Sequence, residues 1–535
     1  MTNSVTSSTP GPGSAAPSTP PPQGTTAALG LRRYLFLTAA VCGAAVMIVE
    51  ILGAKMLSPF FGLSHFVWTA QIAVTLVSLA VGYYVGGRLG DSSRHPVVLY
   101  WSILAAALYL GMTVIICEPV AYWCLDLSNL AIASLLTSAI LFFVPLAILA
   151  MTSPFLVRFI TASLDGVGSN VGRLSSVSTL GSFFGTLLIG YLMVPYLPNS
   201  ITMYATAGAL ALVSLGFFLV VKPKSALAVA IIAIGAGSGF GYQTAQTWIP
   251  HYGGVQQVFR GNSHFGQLQV LDRKDGSERF YMNDYLVQNN YDPQAKQSMA
   301  QFTYLLSGLA RANVTNIHDV LCIGMGVGIV PMEFARAGVN VDVVEINPAV
   351  VPVAQKFFNF DPSLIHLFID DGRHFLNRCR KQYDAVILDA FLGDSSPSHL
   401  MTKEAFTAMH KVLRPGGVLS INSFGDLRPG RDFFTTSLNK TLKSVFRTVR
   451  MHGNGDGAYF FAAMDRTEPG FVHQPDYESI HPHARNEART TFNNIIEVTS
   501  NDGIVLTDNY NPTDFFDAAN REDIRRRLAL GSRPD

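Results

Sequence analysis

Charge is what this sequence has little of. Asp, Glu, Lys and Arg make up 14% of it and hydrophobic residues 49%, where ordinary soluble domains carry about 25% charged residues. The shortfall is concentrated in the first half of the chain. The two signs nearly cancel, at a net charge of +1, which removes the electrostatic ground for nucleic-acid binding. Cysteine is scarce as well: there are five, at positions 42, 117, 124, 322 and 379. Their spacing suggests no zinc site, iron–sulfur cluster or disulfide framework, so they read as small buried hydrophobes and no metal is expected. Lacking too is the lysine that a phosphate-binding glycine loop requires.

Long apolar runs are what the chain has instead. After residues 1–29, rich in Ser, Thr, Pro, Gly and Ala, which cannot bury a core and are expected to form a disordered tail without a signal-peptide pattern, they recur at 34–56, 67–87, 97–117, 130–152, 174–196, 201–221 and 225–243. Each approaches the roughly 20 residues a helix needs to cross a bilayer. Residues 30–247 are therefore expected to be a transmembrane helical domain. Gly181, Gly185 and Gly190 suit close helix contacts in lipid. Glu50 lies inside the first span, either paired with Lys55 or serving transport. Basic residues flank alternate loops (Arg32, Arg33, Arg88, Arg94, Arg158, Arg173, Lys222, Lys224), which places the N-terminus and those loops in the cytoplasm. A seventh full span would then put the C-terminal half outside, whereas a nucleoside donor made in the cytosol favours a cytoplasmic domain. The glycines at 235, 237, 239 and 241 leave open a re-entrant or interfacial seventh segment.

Soluble composition begins after Trp248. Residues 248–300 alternate and turn frequently, which predicts a small antiparallel sheet. From 301 to 520, a helix over 295–312 and strands over 319–323, 341–345, 366–370, 384–389 and 416–422 alternate with helices, the pattern of a doubly wound parallel α/β sheet. A late pair, 459–462 and 503–506, is expected to complete the sheet, with 464–490 as loop and 521–535 as a tail.

The soluble half is organised around Gly324, Gly326 and Gly328, which follow a buried strand and open a helix. A carboxylate, Glu345, ends the next strand about 20 residues after the first glycine, where a nucleoside-binding fold hydrogen-bonds ribose. The spacing is GxGxG, not the GxGxxG of dinucleotide sites. That points to a nucleoside without a pyrophosphate, S-adenosyl compounds first. A tight turn needs glycine with no ligand at all, and Glu345 tips the reading toward one. The third strand ends in Asp370, Asp371 and Gly372, and the fourth in Asp389. Ligands in such sheets bind beyond the strand ends. Asp371 can reach an adenine amino group, and Asp389 sits where a donor's reactive carbon would lie. The structural alternative for Asp389 is a carboxylate that only orders its loop.

These residues, from about Gly266 to Asn422, resemble the spermidine synthase (polyamine aminopropyltransferase) family within the S-adenosylmethionine-dependent, methyltransferase-like transferases. The first half resembles the multi-pass segment fused to such domains in some bacterial proteins, including Val49-Glu50 and the Gly86-Gly87-Arg88 turn. The resemblance implies a Rossmann-like fold in which Glu345 holds ribose, Asp371 and Gly372 hold adenine, Pro397 lines the adenine pocket and Asp389 accepts a proton. Gln288, Asp292 and Asp394 become candidate amine contacts. The sequence departs from the family where an aspartate would grip the donor's ammonium, since Val327 stands there, and the acceptor helix reads Lys296-Gln-Ser-Met299. The implied activity is aminopropyl transfer from decarboxylated S-adenosylmethionine, as co-substrate and not a bound cofactor, to putrescine or a similar amine. A methyltransferase using S-adenosylmethionine is the nearest alternative, and a transporter with a sensing domain the other. Expected partners are a small amine and the lipid bilayer, with a homodimer possible.

Overall fold

The computed structural model describes residues 24–524, apart from 63–64, 94, 161–166, 248–253, 285, 392, 394–395, 456, 468–469, 501, 518–519 and 522. Most of the expected N-terminal tail lies outside that range. Helix α1 (Gly24–Phe61) nevertheless starts inside it, and the expected C-terminal tail begins with buried residues, Arg521 and Ile524.

Seven long helices follow one another: α1, α2 (His65–Ser92), α3 (Val97–Leu127), α4 (Leu130–Ile160), α5 (Val167–Leu187), α6 (Asn199–Val221) and α7 (Pro223–Thr247). Helix α5 continues through a wider π turn, Leu188–Met193, to Tyr196. All seven segments are long and apolar enough to cross a membrane. Their outward faces carry Leu76, Phe184, Tyr191 and Leu212, all more than half exposed, as a lipid-facing surface would. Inside, glycine lets backbones touch. A Cβ on Gly181 would sit 2.1 Å from the Ala40 carbonyl oxygen, on Gly185 2.6 Å from that of Ala44, and on Gly82 2.3 Å from that of Ala147. Gly190 differs from expectation, with nothing within 4 Å of its Cβ direction.

Two further expectations change. Among the described residues no ion pair joins Glu50 to Lys55. Five residues along a helix turn a side chain by about 140°, onto a different face. The seventh segment is one unbroken 25-residue helix with no re-entrant break; at 1.5 Å per residue it reaches about 37 Å, enough to span.

The soluble half starts with a five-stranded antiparallel sheet, β1 (Val255–Ser263), β2 (Gly266–Arg273), β3 (Arg279–Asn283), β4 (Leu286–Asp292) and β5 (Gln297–Ser298). Helix α8 (Gln301–Asn313) then leads into β6 (Asp319–Ile323), α9 (Ile329–Arg336), β7 (Asn340–Glu345), α10 (Val350–Phe357), β8 (His366–Ile369), α11 (Gly372–Arg378) and β9 (Tyr383–Leu388). After these come α12 (Lys403–Lys411), β10 (Leu413–Phe424), α13 (Phe433–Lys443), β11 (Thr448–Gly453), β12 (Ala458–Met464), α14 (Pro482–Asn493), β13 (Ile495–Ile496) and α15 (Thr513–Phe516). The eight strands β6–β13 form one sheet in the order β8-β7-β6-β9-β10-β12-β11-β13, parallel from β8 to β10 and antiparallel beyond. This is a doubly wound, Rossmann-like α/β domain whose chain order reverses between β6 and β9. Strands β6 and β9 are buried on both faces, which is why they read as continuous apolar runs.

The far edge of the sheet differs in part from expectation. Segment 503–506 is not a strand; the backbone N–H groups of Ile504 and Leu506 donate instead to the hydroxyls of Ser437 and Thr441 on α13. Strand β11 takes its place, and α14 occupies the end of the expected loop 464–490.

At the starting edge of the parallel strands, acids are neutralised. Arg414 donates to Asp319 at 2.7 Å and to Asp384 at 2.9 Å, and Lys381 lies 3.3 Å from Asp319. Burial would raise both carboxyls, but these cations, joined at Asp384 by the His318 and Asp319 backbone N–H groups, outweigh it and hold both below the ordinary carboxylate range.

Gly181→Val should destabilise the bundle by about 1–3 kcal/mol or more, since the new methyls meet a carbonyl and not a movable side chain. Gly190→Val should be tolerated. Thermal unfolding of the detergent-solubilised full chain compares the two.

Candidate active site

The ends of β6, β7, β9 and β10, with the β3–β4 hairpin above them, enclose a cleft of about 180 Å³. It lies outside the carboxyl ends of the strands, where the chain order reverses and open α/β sheets bind ligands.

Each glycine of the β6–α9 turn is there for a different reason. All three have positive φ, at 90°, 53° and 83°. A Cβ on Gly324 would come 2.2 Å from the Asp389 carbonyl oxygen, so this glycine allows β6 and β9 to meet. On Gly328 it would strike the Phe360 ring at 2.3 Å, while Gly326 faces open space on the cleft wall. Gly372, on the next loop, lies against Ile323, whose Cγ2 would be 2.6 Å from an added Cβ.

Glu345 is 8% exposed and closes the turn from the other side. One carboxylate oxygen accepts from Met325 N–H at 2.9 Å and the other from Asn347 N–H at 2.8 Å. Burial raises its carboxyl, and these N–H donors only partly offset that. Each oxygen retains acceptor capacity toward the cleft.

Asp371 caps α11. Its Oδ1 accepts from the backbone N–H groups of Arg373 and His374 at 2.9 and 3.0 Å, and its Oδ2 lies 2.9 Å from His399 Nε2. Burial works upward on this carboxyl, but the His374 N–H and the His399 ring hold it below the ordinary range. Pro397 and His399 both line the cleft.

Asp389 ends β9, half-buried, with Asn422 Nδ2 donating to its Oδ1 at 3.0 Å. Among the described residues no cation lies within salt-bridge distance of it. Burial pushes its pKa up from 3.8 to about 6, against the downward pull of Asn422.

The candidate amine contacts separate. Gln288 lines the cleft and donates to the Gly393 carbonyl at 3.3 Å. Asp292 does not line it: its carboxylate accepts from Gln294 and Ala295 N–H at 2.7 and 2.9 Å and meets His481 at 3.3 Å, which orders a turn. The Ala295 N–H chiefly holds that carboxyl below the ordinary range. Asp394 lies outside the described residues. Val327 is buried in the cleft wall beside Ile329 and Val330, with Phe302 also lining the cleft.

Asn422 and His399 escaped the sequence reading as site residues. Asn422 had a usable signal, a polar residue at a strand's carboxyl end, the rule that singled out Glu345 and Asp389. Among the described residues no cluster of His, Cys, Asp and Glu could hold a metal ion.

Residues 299–452 match the family described as Spermine/spermidine synthase domain. An N-terminal histidine N-methyltransferase of Emericella nidulans is 31% identical over 222 residues, 37% of this chain and 38% of that one. A polyamine aminopropyltransferase of Vibrio vulnificus is 37% identical over 111 residues, 20% of this chain and 37% of that one. Putrescine N-methyltransferase 2 of Nicotiana tabacum is 33% identical over 126 residues, 22% of this chain and 36% of that one. The chain thus spans less than two fifths of the length of these curated relatives.

Ionising Asp389 inside the fold costs stability. That cost is absent below the ordinary value of 3.8 and complete above about 6. Asp389→Asn should therefore raise the melting temperature at about pH 8 and change it little at about pH 4; thermal unfolding at the two pH values reads this.

Proposed function

Given a spermine/spermidine synthase domain at residues 299–452, we propose that the cleft binds an S-adenosyl sulfonium and transfers one of its alkyl groups to an amine. The first reading is aminopropyl transfer from decarboxylated S-adenosylmethionine to putrescine or a similar amine, giving spermidine and methylthioadenosine. The observation that carries it is Asp389: a carboxylate without a cationic partner among the described residues, with a pKa near 6, beside the glycine turn.

Above about pH 6 this group is ionised and attracts an ammonium. It then accepts one ammonium proton, and the freed nitrogen lone pair forms a C–N bond at the carbon next to the sulfonium. The C–S bond breaks, its electron pair returns to sulfur, and a neutral thioether leaves. Lifting Asp389 from 3.8 to about 6 narrows the proton-transfer gap to an amine by about 3 kcal/mol, at 1.36 kcal/mol per pH unit. Holding the nitrogen in line with the C–S bond supplies much of the remainder. In this reading Glu345 accepts from the ribose hydroxyls, while Gly324, Gly326 and Gly328 let the nucleoside lie against the turn. The Asp371–Gly372 loop with Pro397 forms the adenine end, and Gln288 is the amine contact.

A second reading, methyl transfer from S-adenosylmethionine, is favoured by one observation. The wall where an acid would hold the decarboxylated donor's ammonium is Val327, among other apolar side chains. The relatives include both kinds of enzyme. Offering both donors with putrescine and assigning the product by mass separates the two readings.

Asp389→Asn should abolish transfer while leaving methylthioadenosine binding within a few-fold. Asn422→Ala, which removes the donor favouring the ionised form, should move the acid limb of the pH–rate profile upward; an unchanged limb would remove Asp389 as the titrating base. Glu345→Ala should weaken methylthioadenosine binding by about 1–3 kcal/mol, from the charged hydrogen bonds lost, as read by calorimetry.

A further inference from the structure

The helical bundle has two unlike ends. Nine Lys and Arg residues occur between 30 and 247, and eight of them belong to one end. They are Arg32 and Arg33 at the start of α1, Arg88 and Arg94 at and after the end of α2, Arg158 and Arg173 across the α4–α5 connection, and Lys222 and Lys224 at the α6–α7 junction. The other end has Lys55 alone, together with the acids Glu118 and Asp126.

The soluble half attaches at that second end through three independent features. The unbroken helix α7 starts at the basic end and finishes at the other. The Val194–Tyr196 turn that closes α5 packs against β1. Phe66, at the start of α2, meets Phe515 of α15 with ring centroids 5.9 Å apart. All three points of attachment lie where the basic residues are not.

Short loops rich in Lys and Arg stay in the cytoplasm, because translocating them is disfavoured. We infer that the soluble half, with its cleft, lies on the extracytoplasmic face of the membrane. This rests on the bundle and its contacts, independently of what the cleft binds. It reverses the expectation drawn from where adenosyl donors are made. If the donor is a sulfonium, its fixed charge keeps it from crossing hydrocarbon unaided, so on that face the reaction depends on a membrane carrier for a cationic nucleoside.

Alkaline phosphatase, active only after export, and a fluorescent protein, bright only in the cytoplasm, are each fused after Asp535 of the full chain in a bacterial host. The same reporters after Lys224 serve as the internal reference. The Asp535 phosphatase fusion should be at least about tenfold more active than the Lys224 fusion, with fluorescence reversed. Bright fluorescence from both positions overturns the inference, because α7 then does not cross. As a second measurement, trypsin added to intact spheroplasts should remove a C-terminal epitope from the unfused chain. An epitope that persists until the membrane is permeabilised overturns it equally. Neither readout depends on activity, so an inactive cleft leaves the topology result standing, and a reversed topology leaves the transfer assay interpretable.

Discussion

The site depends on one close approach between backbones. Gly324 passes the Asp389 carbonyl so tightly that a single methyl would sit 2.2 Å from the oxygen. That contact brings the ends of β6 and β9 together, and with them the glycine turn and Asp389. Glu345 secures the other side, its carboxylate held by Met325 N–H from the turn and Asn347 N–H from its own loop. The geometry is therefore set largely by main chain, which reorganises less than long side chains when a ligand enters.

The parallel strands carry acids at both edges, and their treatment is opposite. At the starting edge, Asp319 and Asp384 are neutralised by Arg414 and held low. At the finishing edge, Glu345 and Asp389 are raised by burial, with N–H donors but, among the described residues, no cation to offset it. One set holds the sheet together; the other is held by the sheet in a state it would not choose in water. Concentrating unfavourable desolvation at the cleft is the usual arrangement where a carboxylate has to exchange a proton near neutral pH.

How much of this was legible in the sequence depends on whether the signal was local. The seven helices were, because they are apolar on their outward faces as well as their packed ones, and β6 and β9 were, because burial on both faces leaves continuous apolar runs. The glycine turn, Glu345, Asp371 and Asp389 were legible from their places at strand ends. What differs was decided by which groups the fold brings together. Segment 503–506 has a strand's composition, but its N–H groups are satisfied by Ser437 and Thr441 hydroxyls, so it needs no neighbouring strand. Asp292 lies off the cleft, and its carboxylate accepts from the N–H groups of its own turn. Lys55 sits too far round α1 to meet Glu50, and nothing lies within 4 Å of where a Cβ on Gly190 would point. Asn422 was one strand end further along the same rule.

The crossing of α1 and α5 has a consequence for biogenesis. Gly181 rests on Ala40, and Gly185 on Ala44, so the contacts of the first helix are made roughly 140 residues later in the chain. During synthesis α1 is therefore complete before its partner exists, with the small-residue groove around Ala40 and Ala44 still open. Until α5 emerges from the ribosome, that groove has to be shielded by something other than its native partner. A pause in translation within that interval is the moment at which this chain is most exposed to mispairing with another helix.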